Sequence, residues 1–298
     1  MTATGKRWPL LLAALLLALV VIETGAAVRA RSRVAGEADW QATAAAVRAE
    51  FRPGDLIVFA PAWMDPVGRS YLGDLMPIEM VARSDADRYG RIWEVSIRGA
   101  RAAETAGAER EVEQDHGLVH VARWKSPPPA PVTVRYDFTA HLAEALVTQL
   151  PVDGRGDERP CFQDPRDGDA GFGCASTHVG RRTLEIDYRP RRGVLVPVDQ
   201  HLVTRLEYRA VPLGGTLVGY TGLHDYYARK NADGPVDFVV FIDDETVYRG
   251  RTGNADAWKR FAIDTSRFAG AAPHRVRFEV SAPAPAWRNF GFHVEARP

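Results

Sequence analysis

From Val132 to its C-terminus the chain is written almost entirely in short apolar or alternating runs, broken by Gly, Asp, Asn and Pro. "VTVRYDF", "TLEIDYRP", "GVLVPV", "RLEYRAV", "TLVGYTG", "DFVVFIDDETVYRG", "WKRFAIDTS", "HRVRFEV" and "NFGFHVEAR" make nine such runs. Side chains alternate across a strand with period two, so runs of this length and spacing predict an antiparallel β-sandwich, a jelly roll, over 132–298. In "VDFVVFIDDETVYRG", Phe238, Val240 and Ile242 share one parity and Val239 and Phe241 the other. A run so apolar on both sides belongs in the middle of a sheet, and Asp243-Asp244 is its expected hairpin turn.

Upstream the grammar differs. "DWQATAAAVRAEF" predicts a helix with Asp39 as N-cap and Trp40, Ala44, Val47 and Phe51 along one side. "DLIVFA" (Asp55 to Ala60), "RIWEVSI" (Arg91 to Ile97) and "LVHVARW" (Leu118 to Trp124) read as strands, the first buried on both faces. "ARAAETAGAEREVEQDHG" (Ala100 to Gly117) predicts a second helix, ended by Gly117. This rhythm is that of a small α/β domain over 36–124. "KSPPPAP" (Lys125 to Pro131) is expected to be an extended Pro-rich linker, which makes the chain an α+β protein of two domains.

Lys6 and Arg7 precede an apolar run from Trp8 to Ile22, about fifteen residues long. Within 1–30 this is either a signal peptide cleaved near Gly25-Ala26-Ala27 or an uncleaved signal anchor holding the chain to a membrane. Arg29, Arg31 and Arg33 weaken the charge asymmetry of an anchor, and the small-x-small pattern of a cleavage site is poor. Both readings place the rest of the chain on the exported side of a cell envelope, or outside the cell. There, Cys161 and Cys174, the two cysteines of the chain, are expected to form a disulfide. Positive and negative residues balance at 38 each and no basic stripe occurs, so nucleic acid is not an expected partner.

The stretch "DWQATAAAVRAEFRPGDLIVFAP", with the later "DRYGRIWEVSI", resembles the exported region of membrane glycosyltransferases of the dolichyl-phosphate-mannose mannosyltransferase-like superfamily, over about 39–124. Their catalytic carboxylates belong to a core of many membrane spans, so the resemblance transfers no catalytic residue. "GLHDYYARKNADGPVDFVVFIDDETVYRG" and "WKRFAIDTSRFAG" with the final "WRNFGFHVEAR" resemble a galactose-binding-like or carbohydrate-binding-module sandwich, over about 131–298. Asp244 stands where that family usually has glycine, and its ligand residues follow no fixed motif.

No nucleophile elbow, zinc-protease helix, phosphate-binding loop or dinucleotide fingerprint occurs, so neither catalytic residues nor a cofactor are assigned. Asp164, Asp167 and Asp169 offer oxygen ligands for Ca²⁺ but lack the spacing and closing glutamate of an EF-hand; the alternative is a solvated turn beside Arg166. "HDYYARKN" gathers His224, Asp225, Tyr226, Tyr227 and Arg229, aromatic faces and planar polar groups of the kind that bind sugars. Its structural alternative is a turn whose tyrosines pack into the sandwich. Trp287 and Arg288 form a second such pair. Trp63, Asp65, Arg69 and Tyr71 follow the first α/β strand, where open α/β sheets place ligands, or else form a structural lid. The histidines, among them His120, His141, His274 and His293, show no metal-ligand spacing.

These features predict a non-enzymatic exported envelope protein whose sandwich binds glycan. One alternative is an accessory subunit that docks on a membrane glycosyltransferase and its lipid-linked sugar machinery. Another is a hydrolase, marked by an acidic or Ser/His pair brought into one cleft.

Overall fold

The computed structural model describes residues 8–31, 34–82, 86–126, 132–164, 170–175, 177–224, 234–254, 256–282 and 288–298. Helix α1 (Trp8–Arg31) carries the N-terminal apolar run, with Leu11, Leu15, Leu17 and Ile22 exposed. Fifteen residues at about 1.5 Å each span roughly 22 Å, short of the ~30 Å hydrocarbon layer. Among the described residues no helix is long and apolar enough to cross a membrane, so the anchor reading finds no support in the fold.

Helix α2 (Glu37–Glu50) starts earlier than expected, capped at Gly36. Asp39 acts from inside the first turn, where its Oδ2 accepts the Gly36 N–H at 3.0 Å. Trp40, Ala44 and Val47 are buried along one side. Strand β1 (Asp55–Ala60) is buried throughout and is followed by α3 (Asp65–Leu72) and the short α4 (Ile78–Val81). Strands β2 (Arg91–Ile97), β3 (Glu109–His116) and β4 (Val119–Lys125) complete a sheet of order β1-β2-β4-β3. The β1–β2 pair is parallel and the others antiparallel.

The second helix expected over Ala100–Gly117 is not formed. A single 3-10 turn, Ala103–Thr105, precedes β3, an edge strand whose side chains are mostly exposed, and Gly117 (φ +61°) turns it into β4. Val112 is the one apolar residue of β3, so a helix here would have no stripe to bury, whereas pairing with β4 satisfies its backbone. The charged edge also discourages pairing with another chain.

The remaining strands are β5 (Tyr136–Asp137), β6 (Leu146–Pro151), β7 (Arg159–Pro160), β8 (Phe162–Gln163), β9 (Gly171–Gly173), β10 (His178–Ile186) and β11 (Arg189–Val198). They continue with β12 (Leu202–Val211), β13 (Thr216–Leu223), β14 (Val236–Ile242), β15 (Glu245–Thr252), β16 (Lys259–Asp264), β17 (His274–Ser281) and β18 (Arg288–Arg297). Two sheets form the sandwich. One runs β16-β13-β18-β11-β10-β9-β8 with β5 also paired to β18; the other runs β15-β14-β17-β12-β6-β7.

Phe238, Val240 and Ile242 are fully buried, β14 lies between β15 and β17, and Asp243-Asp244 turn at φ +47° and +71°. Positive φ at both turn residues matches a two-residue hairpin to the strand twist, and the short polar side chain of Asp tolerates it better than a branched one would. Between the sheets Phe238, Phe278, Phe290 and Phe292 pack ring to ring at 5.3–6.3 Å.

The disulfide Cys161–Cys174 is present. Cys161 lies between β7, in the six-stranded sheet, and β8, in the eight-stranded one, and is part of the sandwich core. It therefore fastens the crossover between the two sheets rather than a solvated loop alone.

The α/β layer has its own apolar cluster around Trp40, Phe59 and Trp93. It meets the eight-stranded sheet through α4, packed on β11, and through three ion pairs: Arg69–Glu185 (3.8 Å), Arg88–Glu295 (3.6 Å) and Arg189–Glu104 (3.4 Å).

Candidate functional site

Strand β18 sorts its residues by parity. Phe290, Phe292, Val294 and Ala296 are fully buried between the sheets, so His293, Glu295 and Arg297 face the opposite side, toward the α/β layer. One edge of β18 pairs with β13 from Phe290 to Arg297. The other edge is divided. β11 pairs with it only from Arg288 to Phe292, and β5 takes over at Glu295 and Ala296. The sheet forks at this change of partner. Gly193 sits at the fork, where a Cβ would lie 2.7 Å from the Phe292 carbonyl oxygen, so only glycine lets β11 come so close before Arg192 and Arg191 diverge.

The fork is a cleft of about 230 Å³, closed on one side by Ile78, Glu79 and Ala82 from α4 and its end, with Arg88 and Tyr89 beside them. Asp137, Thr139, Arg181, Arg191, Arg192, His293 and Glu295 line the sandwich side. Asp137 is held by a turn, its Oδ1 accepting the N–H groups of Thr139 (2.8 Å) and Ala140 (3.1 Å). Glu295 Oε2 accepts from Arg297 Nε at 3.0 Å and Nη2 at 2.8 Å.

Arg191 is almost wholly buried. Its guanidinium lies 3.7 Å over the Tyr220 ring and 5.5 Å from that of Trp258, while Nη1 meets His293 Nδ1 at 2.9 Å. A guanidinium only donates, so Nδ1 is the acceptor and the ring proton is assigned to Nε2. His293 Nε2 lies 3.7 Å from Asp137 Oδ1 and 3.5 Å from Glu295 Oε1. One donor and two acceptors thus converge, the arrangement that neighbouring hydroxyl groups require.

The ligand-type atoms of Asp137, His293 and Glu295 lie within 4.8 Å of one another, which raises the question of a metal ion. The donor set does not fit one. Coordination through Nε2 would have to move the imidazole proton to Nδ1, against the Arg191 guanidinium, and Glu295 is already bound to Arg297.

The residues singled out in the sequence are differently placed. Asp225, Tyr226, Tyr227, Arg229, Trp287, Asp167 and Asp169 lie outside the described residues. Asp164 donates its N–H to the Gly171 carbonyl at 2.9 Å. His224 donates its backbone N–H to Asn289 O at 2.9 Å, so it and Arg288 come to one end of the sandwich. Arg288 is buried there and donates to Asn254 Oδ1. Trp63 is exposed, and Asp65 is buried with Arg69 Nε at 2.5 Å. Tyr71 stacks on Trp40 at 5.7 Å. His120, His141 and His274 each have nearby hydrogen-bond partners in Asp115, the Asp137 carbonyl and Asp243. The fork residues went unread except for His293, though the period-two order of His293, Glu295 and Arg297 opposite an apolar face was a usable signal.

No protein-family model and no curated protein matches the chain. Among solved structures, the CBM51-2 and INT domains of Clostridium perfringens ZmpB align with TM-score 0.29 at 13% identity, covering 39% of this chain and 25% of that one. The same domains in complex with GlcNAc align with TM-score 0.33 at 13% identity, covering 56% of this chain and 40% of that one. TmCBM61 in complex with β-1,4-galactotriose aligns with TM-score 0.29 at 11% identity, over 54% of this chain and 97% of that one. This chain therefore spans less than half of the first two structures. None of the three supports the glycosyltransferase resemblance of 39–124.

Proposed function

We propose that this is an exported protein that binds a saccharide in the forked cleft without transforming it. The observation that carries the reading is the convergence of His293 Nε2–H with the Asp137 and Glu295 carboxylates in a cleft of about 230 Å³. Sites for drug-sized ligands run roughly 300–1,000 Å³, so one sugar ring rather than a long chain fits this one. A disulfide that spans the crossover between the sheets supports residence in an oxidising compartment.

The test is titration with glucose, galactose and mannose, followed by NMR chemical shifts. At least one hexose is expected to perturb the fork residues, and Asp137→Asn and Glu295→Gln are each expected to weaken it about tenfold, the loss of one charge-assisted hydrogen bond. Binding that survives both substitutions places the ligand elsewhere.

The carboxylate pair itself suggests a second reading, glycoside hydrolysis: an oxygen of Asp137 lies within 4.8 Å of one of Glu295, and glycosidases flank the scissile bond with two carboxyl groups. Asp137 Oδ1 and Glu295 Oε2 are both engaged as acceptors, which suits orientation of hydroxyls better than delivery of a proton. Release of product from aryl glycosides, abolished by Asp137→Asn, would favour hydrolysis over binding.

A further inference from the structure

We infer that the saccharide taken by the fork is acidic, bearing a carboxylate or phosphate; the inference rests on the saccharide reading above. Among the described residues, four guanidinium groups line the cleft, from Arg88, Arg181, Arg191 and Arg192, against three carboxylates, from Glu79, Asp137 and Glu295. The negative side is further offset from outside, because Arg297 also bonds Glu295. Hydrogen bonding by Arg191 to Nδ1 assigns His293 one ring proton, so the histidine adds no charge. A cleft with surplus positive charge and low-dielectric walls concentrates anions.

A second observation is independent of charge. Thr139, only 3% exposed, lines the same cleft, and its Oγ1 has no hydrogen-bond partner among the described residues. A buried hydroxyl without a partner is costly, and an anionic oxygen in the cleft is an acceptor that would satisfy it. The division of labour follows from position. Asp137, Glu295 and His293 take the ring hydroxyls at the floor of the fork. Thr139 and the guanidinium of Arg192, on β11 where it has parted from β18, take the acidic group.

The experiment is calorimetry on the full chain with glucose, galactose and mannose, each beside its uronate and 6-phosphate, with acetate and inorganic phosphate as sugar-free probes. The acidic form of the preferred hexose is expected to bind about tenfold more tightly than the neutral one, an advantage that shrinks as salt is raised. Arg192→Gln should lower the ratio of acidic-sugar to neutral-sugar affinity toward one, and Thr139→Val should reduce that ratio in part. Whichever of uronate and 6-phosphate binds more tightly identifies the acidic group. Equal affinity for neutral and acidic hexoses overturns this inference and leaves the saccharide reading standing. Inorganic phosphate or acetate binding as tightly as the sugar acids overturns the saccharide reading, and no binding by any probe overturns both.

Discussion

Arg191 Nη1 donates to His293 Nδ1 at 2.9 Å, and that bond joins β11 to β18 beyond the point where their backbone pairing ends. Because arginine supplies the proton, His293 is held with its hydrogen on Nε2, aimed between Asp137 and Glu295. The same guanidinium is packed over Tyr220, so the orientation of the imidazole is set by a buried cation–π contact.

Nitrogen-detected NMR should therefore find His293 in a single tautomer, with Nδ1 of pyridine type and Nε2 of pyrrole type. Arg191→Ala should yield a mixed tautomer and lower stability by about 1–3 kcal/mol, from the lost cation–π contact and the stranded imidazole nitrogen. A wild-type spectrum already showing both tautomers would sink the assignment.

At the fork itself, Gly193→Ala forces a Cβ toward the Phe292 carbonyl, and backbone cannot yield as a flexible side chain would. A cost of about 1–3 kcal/mol is expected in urea unfolding, as for an overpacked core site, together with weaker ligand binding as β11 is pushed away from β18. Unchanged stability would mean that β11 and β18 are further apart than described.

Removing the disulfide as Cys161→Ser with Cys174→Ser should cost about 3 kcal/mol on the loop-entropy estimate for a closed loop of this size. Hydrogen exchange should localise the loosening to β7, β8 and β9, where the chain passes between the sheets, and spare β13, β14, β17 and β18. Equal loss of protection in the central strands would show that the crossover is needed for the whole sandwich.

Acid should destabilise the fold through three carboxylates held below the usual range. Asp243 is lowered chiefly by its hydrogen bond with His274, Asp74 by Arg48, and Asp264 by Ser266. A carboxyl group with a depressed folded value stabilises fully above its unfolded pKa of about 3.9, and the contribution is lost as pH falls through the folded value. Urea unfolding from pH 7 to 2.5 should show stability falling below about pH 4, with a shallower fall in Asp243→Asn.

Burial raises three tyrosines on the opposite limb, Tyr248 and, most strongly, Tyr136 and Tyr208. Burial, aided by Glu144, raises Tyr136 far above its ordinary value, and burial does the same for Tyr208. Their neutral forms stabilise the fold up to the unfolded pKa of about 10, and the contribution is lost as pH rises further. Absorbance at the tyrosinate band should therefore include these two rings only when the chain unfolds.

The sequence by itself determined whatever depends on neighbours along the chain. "NFGFHVEAR" was legible as an alternating run, and the structure buries its Phe290, Phe292, Val294 and Ala296 while His293, Glu295 and Arg297 face the other way. Asp243-Asp244 was legible as a turn because a two-residue hairpin demands left-handed backbone at both positions. Where local pattern and pairing competed, the sequence misled: Glu109–His116 has charges compatible with a helix, yet it is a strand because β4 offers an edge and no apolar surface waits for a helix. Only the tertiary structure decided the cleft. Its residues come from β5, β10, β11, β18 and α4, elements far apart in the chain, and it exists because β18 changes partner between Phe292 and Glu295. Parity along a strand fixes which way a side chain points, but the strand that lies beside it is chosen by the packing of the whole sheet.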